Sequence, residues 1–280
     1  MTLQGRALRE LLEDLQLRLD RAHSRLLLAG PDEKPLLEPL GLAPPPDLLL
    51  ASSTEPVESG LLERLEQAFF REAGTRVRHI SVGSGEALSL AVSGRVDGAI
   101  AHAPALEARL EKEGLARKPV PFMMSEFAVV ACMEDPAHLD TVSTGRLEDS
   151  FSQIARTGTP FVTRADHSGT PIRELEIWAR LGAAPPAAHW YQEDSDATGS
   201  LHAVHTAMAR AGYTLADRLA VETVTGLRLF VAHDEIAQNV YSFVVPTVST
   251  LGRSAADSFA SWLRTSAARQ IVGSAGVTPL

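Results

Sequence analysis

Residues 161–178 read FVTRADHSGTPIRELEIW, and this stretch decides the fold class. The apolar run at 161–163 predicts a short buried strand, and the spacing of apolar residues predicts a helix over 171–181. Between them stand Arg164 and the group Ser168-Gly169-Thr170. A strand that runs into a helix through a glycine-containing junction is the building unit of an α/β protein.

The same alternation continues on both sides of this stretch. We predict further strands over 47–52, 77–82, 98–101, 127–131, 188–192 and 241–245. We predict further helices over 60–73, 85–93, 105–113, 147–157, 200–211, 217–222 and 253–272. The pattern indicates an α/β fold with mixed, mostly parallel sheets that are covered on both faces.

The first 46 residues follow a different pattern. Apolar residues recur at intervals of three and four from Gly5 to Leu28, which predicts an amphipathic helix within residues 1–30. It could form a coiled-coil homodimer through residues 5–28 or fold back on its own domain, and both alternatives stay open. A stiff proline-rich linker over 31–46 follows.

Composition excludes several classes of protein. The 280 residues carry a net charge of −9, which argues against a general nucleic-acid surface because phosphate contacts need clustered Lys and Arg. The single cysteine, Cys132, excludes an intrachain disulfide. No apolar run approaches a membrane span of about 20 residues. Because the chain shows no export signal as written, we expect it in the cytoplasm unless the true N-terminus differs.

Small hydroxyl residues and glycines mark four strand-to-helix junctions. Glycine admits a ligand close to the backbone, and the unpaired N–H groups at a helix start attract anions. In open α/β sheets, such loops converge beyond the carboxyl ends of the strands. The junctions are Ser52-Ser53-Thr54 with Ser59-Gly60, Gly83-Ser84-Gly85, Ser168-Gly169-Thr170 and Thr198-Gly199-Ser200.

Arg164 precedes the third junction and is the candidate for the full positive charge of an anion site. The alternative is a surface ion pair of Arg164 with Asp166 or Glu174.

These segments resemble the tungstate-binding proteins of ABC uptake systems, a branch of the type II periplasmic-binding-protein family. The resemblance covers about residues 48–276, and the stretch from Arg164 to Trp178 is its most specific part. The other matching segments, in order, are 50–54 with 59–62, 82–88, 96–98, 102–104, 190–191, 212–218 and 239–242.

The resemblance implies two lobes, 47–126 with 243–280 and 127–242, joined by crossing strands near 127–130 and 241–245. Tungstate, molybdate or a similar oxyanion would lie in the cleft between them, and an ABC permease would be the partner. No metal and no other cofactor are implied. Together with the junction pattern, the resemblance gives the candidate ligand-binding residues Ser52, Ser53, Thr54, Ser84, Gly85, Arg164, Ser168, Gly169, Thr170 and Gly199.

The first binding loop departs from the family pattern. Glu55 and Pro56 stand where the family tends to have hydroxyl residues, and Glu86 replaces a common glutamine. A carboxylate that faces an anion repels it by about 1 kcal/mol in water and by more in a closed cleft. Three interpretations stay open: Glu55 points outward, it is protonated, or the ligand is not tungstate.

A regulator is the alternative function. Residues 2–8 are similar to the segment that opens the linker helix in LysR-type and molybdate-responsive regulators. On that hypothesis the chain is an effector domain whose DNA-binding domain is missing, and the ligand need not be an oxyanion. We do not predict direct nucleic-acid binding by this chain.

An enzyme is the third hypothesis, and we do not favour it. Asp166, His167 and Ser168 are neighbours on one short loop, where a nucleophile, a base and an orienting group cannot usually adopt catalytic geometry.

Overall fold

The computed structural model describes residues 46–142, 145–164, 169–183, 187–194, 199–222 and 224–280. The predicted N-terminal helix, the dimer through residues 5–28 and the linker up to residue 45 lie outside the described residues.

The first sheet is built around a buried central strand. Its first half contains β1 (Leu48–Ser52), α1 (Thr54–Glu58), α2 (Leu61–Ala73), β2 (Val77–Ser81), α3 (Ser84–Val92), β3 (Gly98–Ala101) and α4 (Pro104–Lys112). β1 lies between β2 and β3 and runs parallel to both. Its continuous apolar sequence suits a strand that is covered on both faces. The chain therefore leaves β1 at Ser52, at the carboxyl edge of the sheet.

One long strand belongs to both sheets. β4 (Val120–Cys132) pairs through Glu126 with β9 (Gln238–Val244), which also pairs with β3. From Phe127 onward, β4 pairs with β7 (Tyr213–Asp217) and β8 (Leu227–Val231). The chain thus crosses between the sheets at residues 126–127 and at the start of β9. The lobe limits given by the sequence stay a prediction.

The second sheet repeats the arrangement of the first. Its remaining elements are α5 (Leu147–Thr157), β5 (Phe161–Arg164), α6 (Gly169–Arg180), β6 (Tyr191–Asp194), α7 (Ser200–Ala209) and α8 (Arg218–Val221), with a 3-10 turn at Leu139–Thr141. β5 lies between β6 and β7 and is parallel to both. Arg164 is therefore the last residue of a central strand, as Ser52 is in the first sheet.

The sheets are mixed, as the sequence predicts. Parallel pairing is limited to β1 with β2 and β3 and to β5 with β6 and β7 among the described strands. All pairings of β4 are antiparallel, including that with β10 (Thr278–Pro279). Antiparallel pairs are thus more prominent than expected, because the crossing strands run against their neighbours.

The final helix is divided in two, which the sequence analysis did not predict. α9 (Arg253–Trp262) ends before Thr265, whose hydroxyl accepts a hydrogen bond from the backbone of Ala268 and caps α10 (Ser266–Gly273). A Thr at this position satisfies one of the unpaired N–H groups at a helix start.

Each sheet has its own apolar core. Phe69, Phe243, Phe259 and Trp262 pack against the first sheet, and Phe151, Phe161, Trp178 and Trp190 pack against the second. The loops after β1 and β5 therefore each follow a strand of a well-packed sheet. None of the described helices combines the length and the apolar character that crossing a membrane requires.

Candidate anion-binding site

Arg164 is a buried cation at the end of β5. Its side chain is 2% exposed, and Nη1 donates hydrogen bonds to Oγ of Ser200 at 3.1 Å and to Oγ1 of Thr170 at 3.3 Å. The starts of α6 and α7 are thereby held around the guanidinium. The alternative of a surface pair with Glu174 is wrong, since Arg164 is buried and Glu174 accepts hydrogen bonds from Thr163 and Tyr191 instead. Asp166, the other partner considered, lies outside the described residues.

Glu55 reaches this cation from the other sheet. It lies in α1, is 1% exposed, and places Oε1 3.8 Å from Nη1 of Arg164 and Oε2 3.5 Å from Nε2 of His102. Burial raises the pKa of Glu55, but His102 and Arg164 outweigh burial and lower the pKa to about 2. Glu55 therefore points inward and is ionised at neutral pH.

His102 follows β3 and is the second basic group of the site. Nδ1 lies 3.0 Å from Oδ1 of Asn239, whose amide nitrogen donates to Asp217 at 2.6 Å. Both ring nitrogens of His102 thus face acceptors, Asn239 on one side and Glu55 on the other, an arrangement that favours the doubly protonated ring. Burial lowers the pKa of His102, but Glu55 and Asp217 outweigh it and raise the pKa.

Asp217 holds Asn239, and through it His102, in place beside the site. It is fully buried at the end of β7 and accepts hydrogen bonds from Ser125, Leu219, Asn239 and Tyr241. Burial and the charge of Glu55 raise its pKa. Because Ser125 lies on β4 and Asn239 on β9, one carboxylate fixes both crossing strands beside the site.

Glu58 places a second carboxylate at the start of α7. Burial and the charge of Glu55 raise the pKa of Glu58 to about 7, although Arg164 and the backbone N–H groups of Ser200 and Leu201 favour its charged form. Gly199 precedes these amides with φ of +86°, and a Cβ at this position would overlap Oε1 of Glu58. Helix starts of this kind hold anions, and here a side chain of the protein supplies the negative charge.

Several buried oxygens of the segment after β1 are incompletely paired. Among the residues that the structure describes, Oγ of Ser53 and Oε2 of Glu58 have no hydrogen-bond partner, and the carboxylate oxygens of Glu55 have only the ion-pair contacts with Arg164 and His102. Ser53 and Glu55 are each only 1% exposed. Buried polar atoms are nearly always hydrogen-bonded, so this group of incompletely paired oxygens is a candidate site for a ligand.

The other residues predicted for the site have different surroundings. Ser52 donates its hydroxyl hydrogen bond to the carbonyl of Ser53, at 2.9 Å. Thr54 opens α1 and is half-buried. Ser84 accepts from the backbone N–H of His102 at 3.2 Å, whereas Gly85 is exposed in the first turn of α3.

The third junction is described in part. Gly169 lies so close to His102 that a Cβ would be 2.5 Å from its ring, and Thr170 is buried beside Arg164. Ser168 lies outside the described residues. Their roles in binding a ligand remain predictions.

Sequence reasoning missed five residues as members of the site: Glu58, His102, Ser200, Asp217 and Asn239. All five stand in or beside segments that the sequence analysis singled out. His102 opens the segment 102–104, and Ser200 closes the fourth junction. Glu58 precedes Ser59-Gly60 of the first junction. The position of each beside Arg164, Glu55 or one another depends on contacts between elements that are distant in the sequence, which no local pattern reveals.

Comparison with known proteins agrees with this architecture. The family model of the PBP superfamily domain matches residues 41–264. The chain belongs to this family. The PBP superfamily domain thus covers strands β1 to β9 and every described residue of the candidate site.

Two curated relatives carry names that concern anions. A tungstate-binding protein TupA from Peptoclostridium acidaminophilum is 28% identical over 238 residues, which are 82% of this chain and 81% of that protein. A protein from Haloferax volcanii, provisionally named an ABC transporter anion-binding protein, is 33% identical over 172 residues, or 61% of this chain. The chain spans about half of the Haloferax protein, 49% of its length.

A solved structure gives the same result for the fold. The tungstate-binding protein TupA from Desulfovibrio alaskensis is 27% identical and superposes with a TM-score of 0.69, covering 83% of this chain and 98% of that one. The type II periplasmic-binding-protein fold expected from the sequence is confirmed. The expected cytoplasmic location is wrong, because the tungstate-binding relatives point to the periplasm.

Proposed function

We propose that this chain is a substrate-binding protein that holds a small tetrahedral oxyanion between the loops after β1 and β5. Tungstate and molybdate belong to this class of ligand. The relatives named for tungstate binding support the class, and the PBP superfamily supports a role in binding rather than in catalysis. An ABC permease is the partner that such a protein would serve.

One observation carries the proposal: Arg164 is a buried guanidinium surrounded by small hydroxyl residues at the carboxyl end of a central strand. Guanidinium groups bind oxyanions through several N–H donors of fixed geometry. The starts of α6 and α7 add helix dipoles of the right sign. Ligands of open α/β sheets bind at this edge.

Closure would follow from the same contacts. Elements of the first sheet, through Glu55, already approach Arg164 of the second. A ligand that contacts both sheets at once stabilises only the state in which they are close together, so its binding shifts the population toward that state.

Calorimetric titration tests the proposal. Tungstate, molybdate, sulfate and phosphate are titrated into the wild-type chain, Arg164→Ala and Arg210→Ala. Arg210 is the matched control because it is exposed at the end of α7 and bonds only to Gln192 in the described contacts. We expect binding of at least one oxyanion by the wild type and by Arg210→Ala, and none by Arg164→Ala. Equal affinities in all three proteins, or a folded wild type that binds no oxyanion, would refute the proposal.

The regulator alternative has weaker support from the comparisons. A LysR substrate binding domain from Wolinella succinogenes is 25% identical with a TM-score of 0.54, and the likeness to the full-length regulator BenM has 13% identity and shows a shared fold alone.

A further inference from the structure

The candidate site has two chemically different sides. On the side of the second sheet, Thr170 and Ser200 accept hydrogen bonds from Arg164 and can therefore donate their own hydroxyl protons to a further acceptor. This side offers hydroxyl donors beside the positive charge of Arg164. A ligand that lies against it must present oxygen atoms that accept.

The side of the first sheet offers acceptors instead. Glu55 and Glu58 both come from one short segment, 53–58. Oε2 of Glu58 has no hydrogen-bond partner among the described residues, and the oxygens of Glu55 have only the ion-pair contacts with Arg164 and His102. Leaving a buried acceptor unpaired is unfavourable. A ligand that fits here must therefore also donate a hydrogen bond.

Glu55 decides what kind of ligand meets both needs. It is held ionised between Arg164 and His102, so it accepts and cannot donate. Glu58 differs, since its pKa of about 7 gives it both forms near neutrality and lets it adapt to either partner. Sulfate, molybdate and tungstate carry no proton at neutral pH and would meet Glu55 with acceptor against acceptor. Phosphate and arsenate keep a proton.

We propose that Glu55 is a specificity-determining residue, which selects oxyanions that retain a proton at neutral pH over those that are fully deprotonated. The ligand class is then hydrogenphosphate or hydrogenarsenate, whose hydroxyl donates to Glu55 while the remaining oxygens lie against the positive charge of Arg164 and the hydroxyl groups of Thr170 and Ser200. This inference rests on the proposed function, because it concerns the same site and the same class of tetrahedral ligand.

The size of the effect follows from the chemistry of the contact. A hydrogen bond to a charged group, or its replacement by repulsion between acceptors, changes affinity by about tenfold or more. Phosphate and sulfate are the sharpest pair of probes because they have nearly the same size and differ in the proton. Tungstate and molybdate are larger and test whether the preference extends beyond that pair.

Titration calorimetry at pH 7.5 with phosphate, arsenate, sulfate, molybdate and tungstate separates the possibilities. We expect the wild type to bind phosphate and arsenate at least about tenfold more tightly than sulfate, molybdate and tungstate. In Glu55→Ser and Glu55→Gln we expect the ratio of the sulfate to the phosphate Kd to fall by at least about tenfold. The matched control is Glu86→Gln, which removes an exposed carboxylate from α3 and leaves the ratio unchanged.

The outcomes are distinct. A wild type that binds sulfate or tungstate as tightly as phosphate overturns the inference without the need for a variant. An unchanged ratio of the sulfate Kd to the phosphate Kd in folded Glu55 variants also overturns it. The same holds if the variants bind all anions more tightly by the same factor, because Glu55 would then only compete with anions in general. If no oxyanion binds to folded wild type, the proposed function itself fails. Thermal unfolding of each ligand-free variant establishes that it is folded.

Discussion

Gly199 packs against Glu58 in a backbone conformation that is restricted to glycine. With φ of +86° and ψ of 166°, it brings the amides of α7 to the carboxylate of Glu58, and no side chain fits between them. The contact joins a loop of the second sheet to α1 of the first.

Replacing Gly199 with Ala is expected to destabilise the protein and loosen this contact. The backbone strain costs about 1–3 kcal/mol, and overlap with Glu58 adds to it. Gly182→Ala is the control, because Gly182 also has a positive φ, of +68°, but has open space around it. Chemical denaturation measures both free energies of unfolding. Equal losses in the two variants would show that the contact with Glu58 contributes nothing.

The pair of Arg164 and Glu55 leads to a prediction about stability. Removing one partner of a buried ion pair leaves the other charge uncompensated, at a cost of about 3–5 kcal/mol. Arg164→Ala should therefore lower the free energy of unfolding, and the double variant with Glu55→Gln should lose less than the single one. Urea denaturation of the wild type, both single variants and the double variant gives the coupling free energy. If the losses of the two single variants simply add up in the double variant, the contact of 3.8 Å between Nη1 of Arg164 and Oε1 of Glu55 contributes nothing to stability.

Glu174 should make stability depend on pH. Burial raises its pKa from the ordinary 4.5 to about 7, although hydrogen bonds from Tyr191 and Thr163 favour its charged form. A carboxyl with a raised pKa in the folded state stabilises fully below the unfolded pKa, and this contribution is lost as pH rises through the folded pKa.

Between pH 4.5 and 7, Glu174→Gln should thus gain stability over the wild type by at most about 1.4 kcal/mol per pH unit. Glu176→Gln, on the exposed face of α6, is the control and should show no such trend. Thermal melts across pH 4 to 8 give the difference. A constant difference would place the pKa of Glu174 near its ordinary value.

Asp97 links β1 to the last helices, and its loss should be costly. Its carboxylate accepts hydrogen bonds from the backbone of Leu49 at 2.8 Å and of Gly252 at 2.9 Å. Asp97→Ala leaves two backbone donors to find water, so we expect a loss of about 1–3 kcal/mol. Asp257→Ala breaks only an exposed pair with Arg117 and should change stability by less than about 1 kcal/mol. Denaturation midpoints of both variants check this, and similar losses would contradict the assignment.

The sequence predicted the elements that repeat a local pattern and missed those that depend on distant partners. β1, β3 and β5 were predicted within a residue, because each is a short apolar run that is followed by a helix start. β8 was missed because each of its residues is half-buried, which leaves no contrast between its two faces. α1 was missed because it has only five residues and contains Pro56.

β7 shows the same limit more clearly. The helix predicted over 217–222 is real only at Arg218–Val221, and Tyr213–Asp217 forms a strand because β4 and β5 supply ladders on both of its sides. The residues of the candidate site also fall into those that a local pattern predicts and those that depend on distant partners. Arg164 is recognisable from its motif, whereas the inward position of Glu55 depends on His102 and Arg164, which lie 47 and 109 residues further along the chain.

Asp217 has a mechanical consequence. Its carboxylate ties Ser125 of one crossing strand to Asn239 and Tyr241 of the other, so the two strands form a clamped pair rather than two free linkers. Any relative rotation of the sheets must bend these strands on either side of the clamp. The axis of such a rotation would then pass close to Asp217, and this small region would stay rigid while the cleft beside it changes width.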